Sequence, residues 1–345
     1  MTAVVYSDKY SLHDTGNHVE NDMRVQVIME TLKKMKLEVE GIYQPKMAIE
    51  EDLLRVHTRE HLEHIQKFCQ KGGGYIDFDT LASPQSYEIA RLSAGGAIKA
   101  VELVLDGYSS AYSVGRPPGH HATQNKSMGF CIFNNMAITL EYLRENHNIK
   151  KFLVFDFDVH YGNGTAAIFY EDSDVLYISI HQDPRTIFPG KGFTHEIGNG
   201  EGKGTNLNIP MPPGSNNEDY MYILDKILRP AGEAFCADFY LVEVGFDGHK
   251  EDPLSRIDLD DQFYEWVAVE MMDMAGSLTL ILEGGYDLNA LSSSNKKLIN
   301  GLQNYKIIKE ENEKDDHDSY NSQVKDQTKN IYQDIRETFS PYFDL

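Results

Sequence analysis

Five short apolar runs constrain this chain most: residues 111–114, 152–155, 175–180, 239–244 and 278–282. Each ends in a polar loop that carries glycine, and helical sequence separates them. Runs this short, rich in β-branched and aromatic residues, fit buried strands. Residues 3–6 read as a further strand. A polar segment with His13, Gly16, His18, Glu20 and Arg24 leads into a helix expected through about Lys36, and further helices are expected over 51–70 with an interruption near His57, and over 84–105, 134–145, 164–170, 217–235 and 259–274. Strands alternating with helices build a mainly parallel sheet with helices on both faces. The predicted fold class is therefore α/β, a single large domain around a mainly parallel central sheet. Ligands of such sheets bind beyond the carboxyl ends of the strands, so the five loops should converge on one rim.

The central run carries the densest chemistry. Residues 153–164 read Leu-Val-Phe-Asp-Phe-Asp-Val-His-Tyr-Gly-Asn-Gly. Asp158 and His160 are two apart, so on extended backbone both project to one side and can meet one metal ion. Carboxylate oxygen and imidazole nitrogen are ordinary zinc ligands, and a catalytic zinc keeps a position open for water. Asp156 falls on that side one step deeper, placed to orient a catalytic group from behind. Asp-x-His alone is more often a structural strand end; the other four loops shift that balance. Residues 115–122 read Gly-Arg-Pro-Pro-Gly-His-His-Ala. The prolines stiffen this path, and two adjacent imidazoles, titrating near neutrality, suit proton transfer. The remaining loops hold His181, Asp247 and Tyr286.

Composition narrows the function class. The 345 residues carry a formal net charge of −22, which argues against direct nucleic-acid binding, since phosphate contacts need Lys and Arg clusters. The charge favours cationic substrates, or is simply an acidic solvated surface. Cys69, Cys131 and Cys236 form no Cys-x-x-Cys pattern and fit a reducing compartment. The first residues lack the layout of a signal peptide, and no run approaches the roughly 18 apolar residues of a membrane helix. A cytoplasmic protein without membrane contact is expected.

Four segments, in order, carry a family resemblance: Arg-Pro-Pro-Gly-His-His-Ala (116–122), Asp-Phe-Asp-Val-His-Tyr-Gly-Asn-Gly-Thr (156–165), Gly-Phe-Asp-Gly-His (245–249) and Glu-Gly-Gly-Tyr (283–286). Together they resemble the zinc-dependent histone deacetylase and acetylpolyamine amidohydrolase superfamily over about 4–301. The resemblance implies an arginase-like α/β fold and metal-assisted hydrolysis of an acetyl amide. It implies Asp158, His160 and Asp247 as ligands of zinc, with ferrous iron as the alternative ion in the cell; spacing alone does not single out Asp247. His120 and His121 match the family's tandem histidines, which handle protons around the attacking water. Asp156 matches the acid behind His120, and Asn163 the partner behind His121. Nuclear-type members often carry Asp at that second position, so His121 is expected to protonate less easily here. Tyr286 is implied as the hydroxyl donor to the developing oxyanion.

The same resemblance places Gly129, Phe130 and Phe188 along an acyl-lysine tunnel and Leu254 at its rim. Polyamine-specialised members can carry an acid at that rim, so a leucine leans toward acetyl-lysine in a protein or peptide. An acetylated polyamine is the alternative substrate, and a catalytically weak acyl-lysine binding protein is the alternative of another class. An arginase-like manganese enzyme shares the fold, but the mononuclear ligand set and the His pair argue against it. By the same analogy potassium binds near Asp156, Asp158, His160 and Ser179. Departures from the family pattern are Val19, Tyr161, Glu243-Val244 and Ser255. Glu243 matters most, because a carboxylate at the end of a buried strand must be paired or protonated. The catalytic domain is expected over 1–305, followed over 306–345 by an acidic tail with a terminal helix over 326–339. Homo-oligomer formation is left open.

Overall fold

The computed structural model describes residues 1–35, 41–312 and 323–345. The helix end expected at Lys36 and most of the acid-rich run 310–318 lie outside the described residues. The chain opens with β1 (Thr2–Val5), α1 (Met23–Lys34) and β2 (Ile42–Tyr43). α2 (Glu50–Leu54) and α3 (Arg59–Gln70) follow, separated at the interruption expected near His57. A short antiparallel pair, β3 (Gly74–Tyr75) and β4 (Leu81–Ala82), then leads into α4 (Ser86–Leu105). The alternating half consists of β5 (Ser110–Ser113), α5 (Asn135–His147), β6 (Phe152–Asp156), α6 (Asn163–Ile168), β7 (Val175–Gln182) and β8 (Asn206–Met211). It continues through α7 (Asn217–Phe235), β9 (Phe239–Val244), α8 (Asp261–Ala275), β10 (Leu278–Leu282), α9 (Leu288–Asn312) and α10 (Asp326–Phe339).

Among the described residues, eight strands form one sheet in the order β2-β1-β5-β10-β9-β6-β7-β8, with every pairing parallel. Alternating side chains feed two cores. Leu153 and Phe155 of β6 join Leu176, Ile178 and Val242 beneath α1, α7, α8 and α9. Phe152 and Val154 join Val175, Tyr177 and Leu241 beneath α3, α4 and α5. A sheet covered on both faces explains why its strands read as nearly continuous apolar runs.

Sequence reading treats the glycine-rich stretch up to Asn208 as loop; the structure has β8 there. Leu207, Ile209 and Met211 alternate into the core, while Asn206 and Asn208 hydrogen-bond the carbonyl of Glu196. β8 is an edge strand, where Pro210 is tolerated. Sequence reading also gives no element over 288–305, where α9 buries Leu291, Leu298, Ile299 and Leu302 at helical spacing against α8. The helix runs on to Asn312. α10 buries Ile335 and Phe339 in the same core. No described helix is long and apolar enough to cross a membrane.

Candidate active site

Because β5, β6, β7, β9 and β10 run parallel, their carboxyl ends share one rim, and the singled-out residues meet there. β6 ends at Asp156, and the turn beyond it carries Asp158 and His160. Asp247 follows β9, His120 and His121 follow β5, and Tyr286 follows β10.

Asp158, His160 and Asp247 each offer one ligand atom, all within 4.8 Å of one another. His160 Nδ1 lies 3.2 Å from Asp158 Oδ1 and 3.0 Å from Asp247 Oδ2. Backbone N–H groups steady the carboxylates: Gly284 donates to Asp158 Oδ2 at 2.7 Å, and Val159 to Asp247 Oδ1 at 3.0 Å. A Cβ at Gly284 would stand 2.2 Å from Asp247 Oδ2 and 2.5 Å from Asp158 Oδ2, so the absence of a side chain there lets the two acids converge. Burial opposes charge on His160, yet its hydrogen bonds to Asp158 and Asp247 push the imidazole up to about 10. A site that holds a proton this tightly between two buried carboxylates suits a small divalent cation. The donor set of two oxygens and one nitrogen is one zinc accepts.

The two adjacent histidines are set apart by their partners. Their rings are 4.0 Å apart. His120 Nδ1 faces Asp156 Oδ2 at 3.1 Å, and its Nε2 lies 3.9 Å from Asp158 Oδ1. Burial works against charge on His120, but the Asp158 and Asp156 carboxylates outweigh it and hold the ring well above the ordinary imidazole value. His121 Nδ1 faces Asn163 Oδ1 at 2.8 Å. The Asn163 amide N–H points instead to Met128 Sδ at 3.4 Å, so Oδ1 accepts and His121 Nδ1 carries the hydrogen. Burial first, then His120 and His160, hold His121 well below the ordinary value. One histidine is thus a cation and its neighbour a neutral ring whose Nε2 has no hydrogen-bond partner among the described residues. Such a divergence separates acid from base roles.

Of the residues expected along the tunnel, Gly129 and Phe188 lie against His121, and Phe130 lies against Tyr286. Phe188 packs edge-on to His121 with centroids 5.0 Å apart and is 42% exposed. Phe130 packs edge-on to Tyr286 at 5.7 Å and to His18 at 4.7 Å. Gly129 has φ +55°, and a Cβ on it would press His121 Cδ2 at 2.4 Å and Phe188 Cε1 at 3.0 Å. Leu254 is half-buried, its N–H donating to Asp252 Oδ1. Ser179 pairs in register with Asp156, but its hydroxyl lies 2.9 Å from His181 Nδ1. Tyr286 is half-buried under the guanidinium of Arg24, 4.8 Å from the ring centroid. Burial, with Asp247 and Asp158, outweighs Arg24 and keeps its hydroxyl well above the ordinary phenol value, hence protonated.

Sequence reasoning missed the supports behind these groups. Glu283 Oε2 accepts the N–H groups of Gly119 and His120, pinning the histidine loop to β10. Tyr177 donates its hydroxyl to Asp156 Oδ2 at 2.6 Å. Asp252 Oδ2 accepts the N–H groups of Tyr286 and Asp287, and Arg24 donates to the carbonyls of Glu283 and Gly285. The period-2 pattern gave one usable signal: Tyr177 lies two residues before Ser179, on the face that Asp156 shares.

Comparison with known proteins agrees with this geometry. A family profile described as the histone deacetylase domain matches residues 18–302. The chain is 46% identical over 300 residues to a "Probable deacetylase" of Methanothermobacter thermautotrophicus, covering 87% of this chain and 90% of that one. It is 43% identical over 245 residues to a "Histone deacetylase-like amidohydrolase" of Pseudomonas aeruginosa, covering 69% and 64%. The crystal structure of the HDA15 HD domain superposes with a TM-score of 0.90 at 28% identity, covering 99% of this chain and 95% of that one.

Proposed function

The chain belongs to the histone deacetylase family, and on that premise we propose that it removes acetyl groups from the ε-amine of lysine in proteins or peptides. The observation that carries the reading is the split His120–His121 pair beside the Asp158, His160 and Asp247 group. That combination supplies a proton acceptor and a cation at one place, which amide hydrolysis needs.

Asp158, His160 and Asp247 would hold zinc, with ferrous iron as the competing ion. The bound metal supplies a Lewis acid that polarises the acetyl carbonyl and acidifies water. His121, open at Nε2, takes a proton as water attacks the acetyl carbon. His120, cationic against Asp156, steadies the negative charge that develops. The Tyr286 hydroxyl donates to the carbonyl oxygen as it becomes an oxyanion. As the C–N bond breaks, the His pair returns a proton to the amine, leaving acetate and free lysine. Phe130 and Phe188 flank the acyl chain, and Leu254 gives the rim an apolar rather than an acidic side chain, which favours a lysine side chain over a second ammonium. A potassium ion near Asp156, Asp158, His160 and Ser179 belongs to the same reading.

The test is turnover by the zinc-loaded protein of an acetyl-lysine peptide, acetylputrescine and acetylspermidine side by side, with Asp247→Ala as control. Preference for the peptide supports the proposal. Preference for the polyamines moves the substrate to small acetylated amines. No turnover of any of them with metal bound points to another acyl group or to an acyl-lysine binding protein.

A further inference from the structure

Glu20 stands between the guanidiniums of Arg24 and Arg116, all three side chains are buried, and the reaction above uses none of them. Arg116 meets the carboxylate as a fork: Nε donates to Oε1 and Nη2 to Oε2, both at 2.9 Å. Arg24 donates from Nη1 to Oε1 at 3.2 Å. Among the described residues, Glu20 is the only carboxylate that ion-pairs with either arginine. Burial opposes charge on Glu20, but Arg116 outweighs it and holds the carboxyl well below its ordinary value. Removing the charge of Glu20 would therefore leave two buried cations without their anion.

Arg24 carries this anchoring to the loop after β10. Its Nε donates to the carbonyl of Gly285 at 2.6 Å and its Nη2 to the carbonyl of Glu283. From the loop after β9, the buried Asp252 meets the same stretch: its Oδ2 accepts the N–H of Tyr286 at 2.6 Å and of Asp287 at 3.2 Å. The Gly285 carbonyl and the Tyr286 N–H belong to one planar peptide group. Arg24 and Asp252 thus grip that plane at its two opposite edges. Gly285 has φ +115°, a region open to glycine, so local sterics do little to fix the plane. Its tilt sets where the Tyr286 side chain points, and with it the hydroxyl.

We propose that Glu20 and Asp252 are positioning residues for Tyr286, Glu20 acting through Arg24 on the carbonyl of the Gly285–Tyr286 peptide group and Asp252 on its N–H. The two acids lie 232 positions apart along the chain and meet no substrate; they act on the hydroxyl donor from opposite sides. Arg116 belongs to the loop that carries His120 and His121, so Glu20 also ties the donor's support to the histidine pair. The effect on turnover rests on the hydrolase reading above; the placing of the Tyr286 ring does not.

Double-mutant cycles on the zinc-loaded protein test the proposal. Glu20→Gln and Asp252→Ala should each lower kcat by about tenfold to a hundredfold, as misplacement of a reacting group does, with KM little changed. In a Tyr286→Phe background, where no hydroxyl remains to be placed, each should cost no more than about twofold. An undiminished loss in that background overturns the proposal, because it marks a general structural role. If Glu20→Gln does not fold, Glu20→Asp, which keeps the anion but draws it back by one methylene, takes its place in the same cycle. A second readout needs no turnover: 3-fluorotyrosine at position 286, observed by fluorine NMR, should give one sharp resonance in the otherwise wild-type protein and a shifted or broadened one in each variant. A resonance unchanged by either substitution overturns the proposal. If the wild type turns over no acetylated substrate, the hydrolase reading fails and the fluorine resonance alone decides whether the two acids place Tyr286.

Discussion

His121 Nδ1 stands 2.8 Å from Oδ1 of Asn163, an amide that fixes the ring's tautomer and contributes no charge to it. Its neighbour His120 faces the carboxylate of Asp156 in the corresponding position. An uncharged partner leaves burial, His120 and His160 to hold His121 below the ordinary imidazole value.

The sign of the pH dependence follows. His121 must be neutral to accept a proton, and its value lies well below the ordinary 6.5, so the acidic limb of kcat should lie below pH 6.5. Asn163→Asp places an anion at the same atom, favours the imidazolium and should move that limb to higher pH. A pH–rate profile of the variant checks this; an unmoved limb would remove His121 as the group that sets it.

Tyr286→Phe removes one hydroxyl and leaves the ring packing on Phe130 and Arg24 in place. Loss of one oxyanion donor should cost about a hundredfold to a thousandfold in kcat, with KM little changed. Steady-state kinetics decide; unchanged kcat would sink the donor role.

Gly284→Ala should weaken metal binding by about tenfold or more while the fold persists. The new methyl group would press the facing oxygens of Asp247 and Asp158 apart, and neither can retreat far because each is held by a backbone N–H. Metal titration against a competing chelator reads the effect. Chelation of the wild type should abolish turnover, and added zinc should restore it.

Phe339 lies in the last helix and is fully buried in the core shared with α7 and β8. Phe339→Ala should cost about 3–5 kcal/mol. Chemical denaturation measures it. A loss under about 1 kcal/mol would mean that α10 is not part of the cooperative unit.

Much of this protein is legible along the chain because its key patterns are local. The alternating face of residues 152–156, the rigid path through Pro117 and Pro118, and the spacing of Asp158 and His160 each depend on a few consecutive residues. With helical sequence between the runs, they fix a parallel sheet and one rim for the chemistry. Resemblance rather than spacing implies Asp247, since it lies 87 residues beyond His160. Tertiary structure decided what stands behind the site. Glu283 meets the His loop across 164 residues, Tyr177 meets Asp156 across 21, and the hydrogen-bond chain from Asn134 through Thr165 to Glu243 spans three elements. Whether a buried carboxylate keeps its proton depends on which groups face it across neighbouring strands. Sheet order sets those neighbours, and sheet order is not written in any local stretch of sequence.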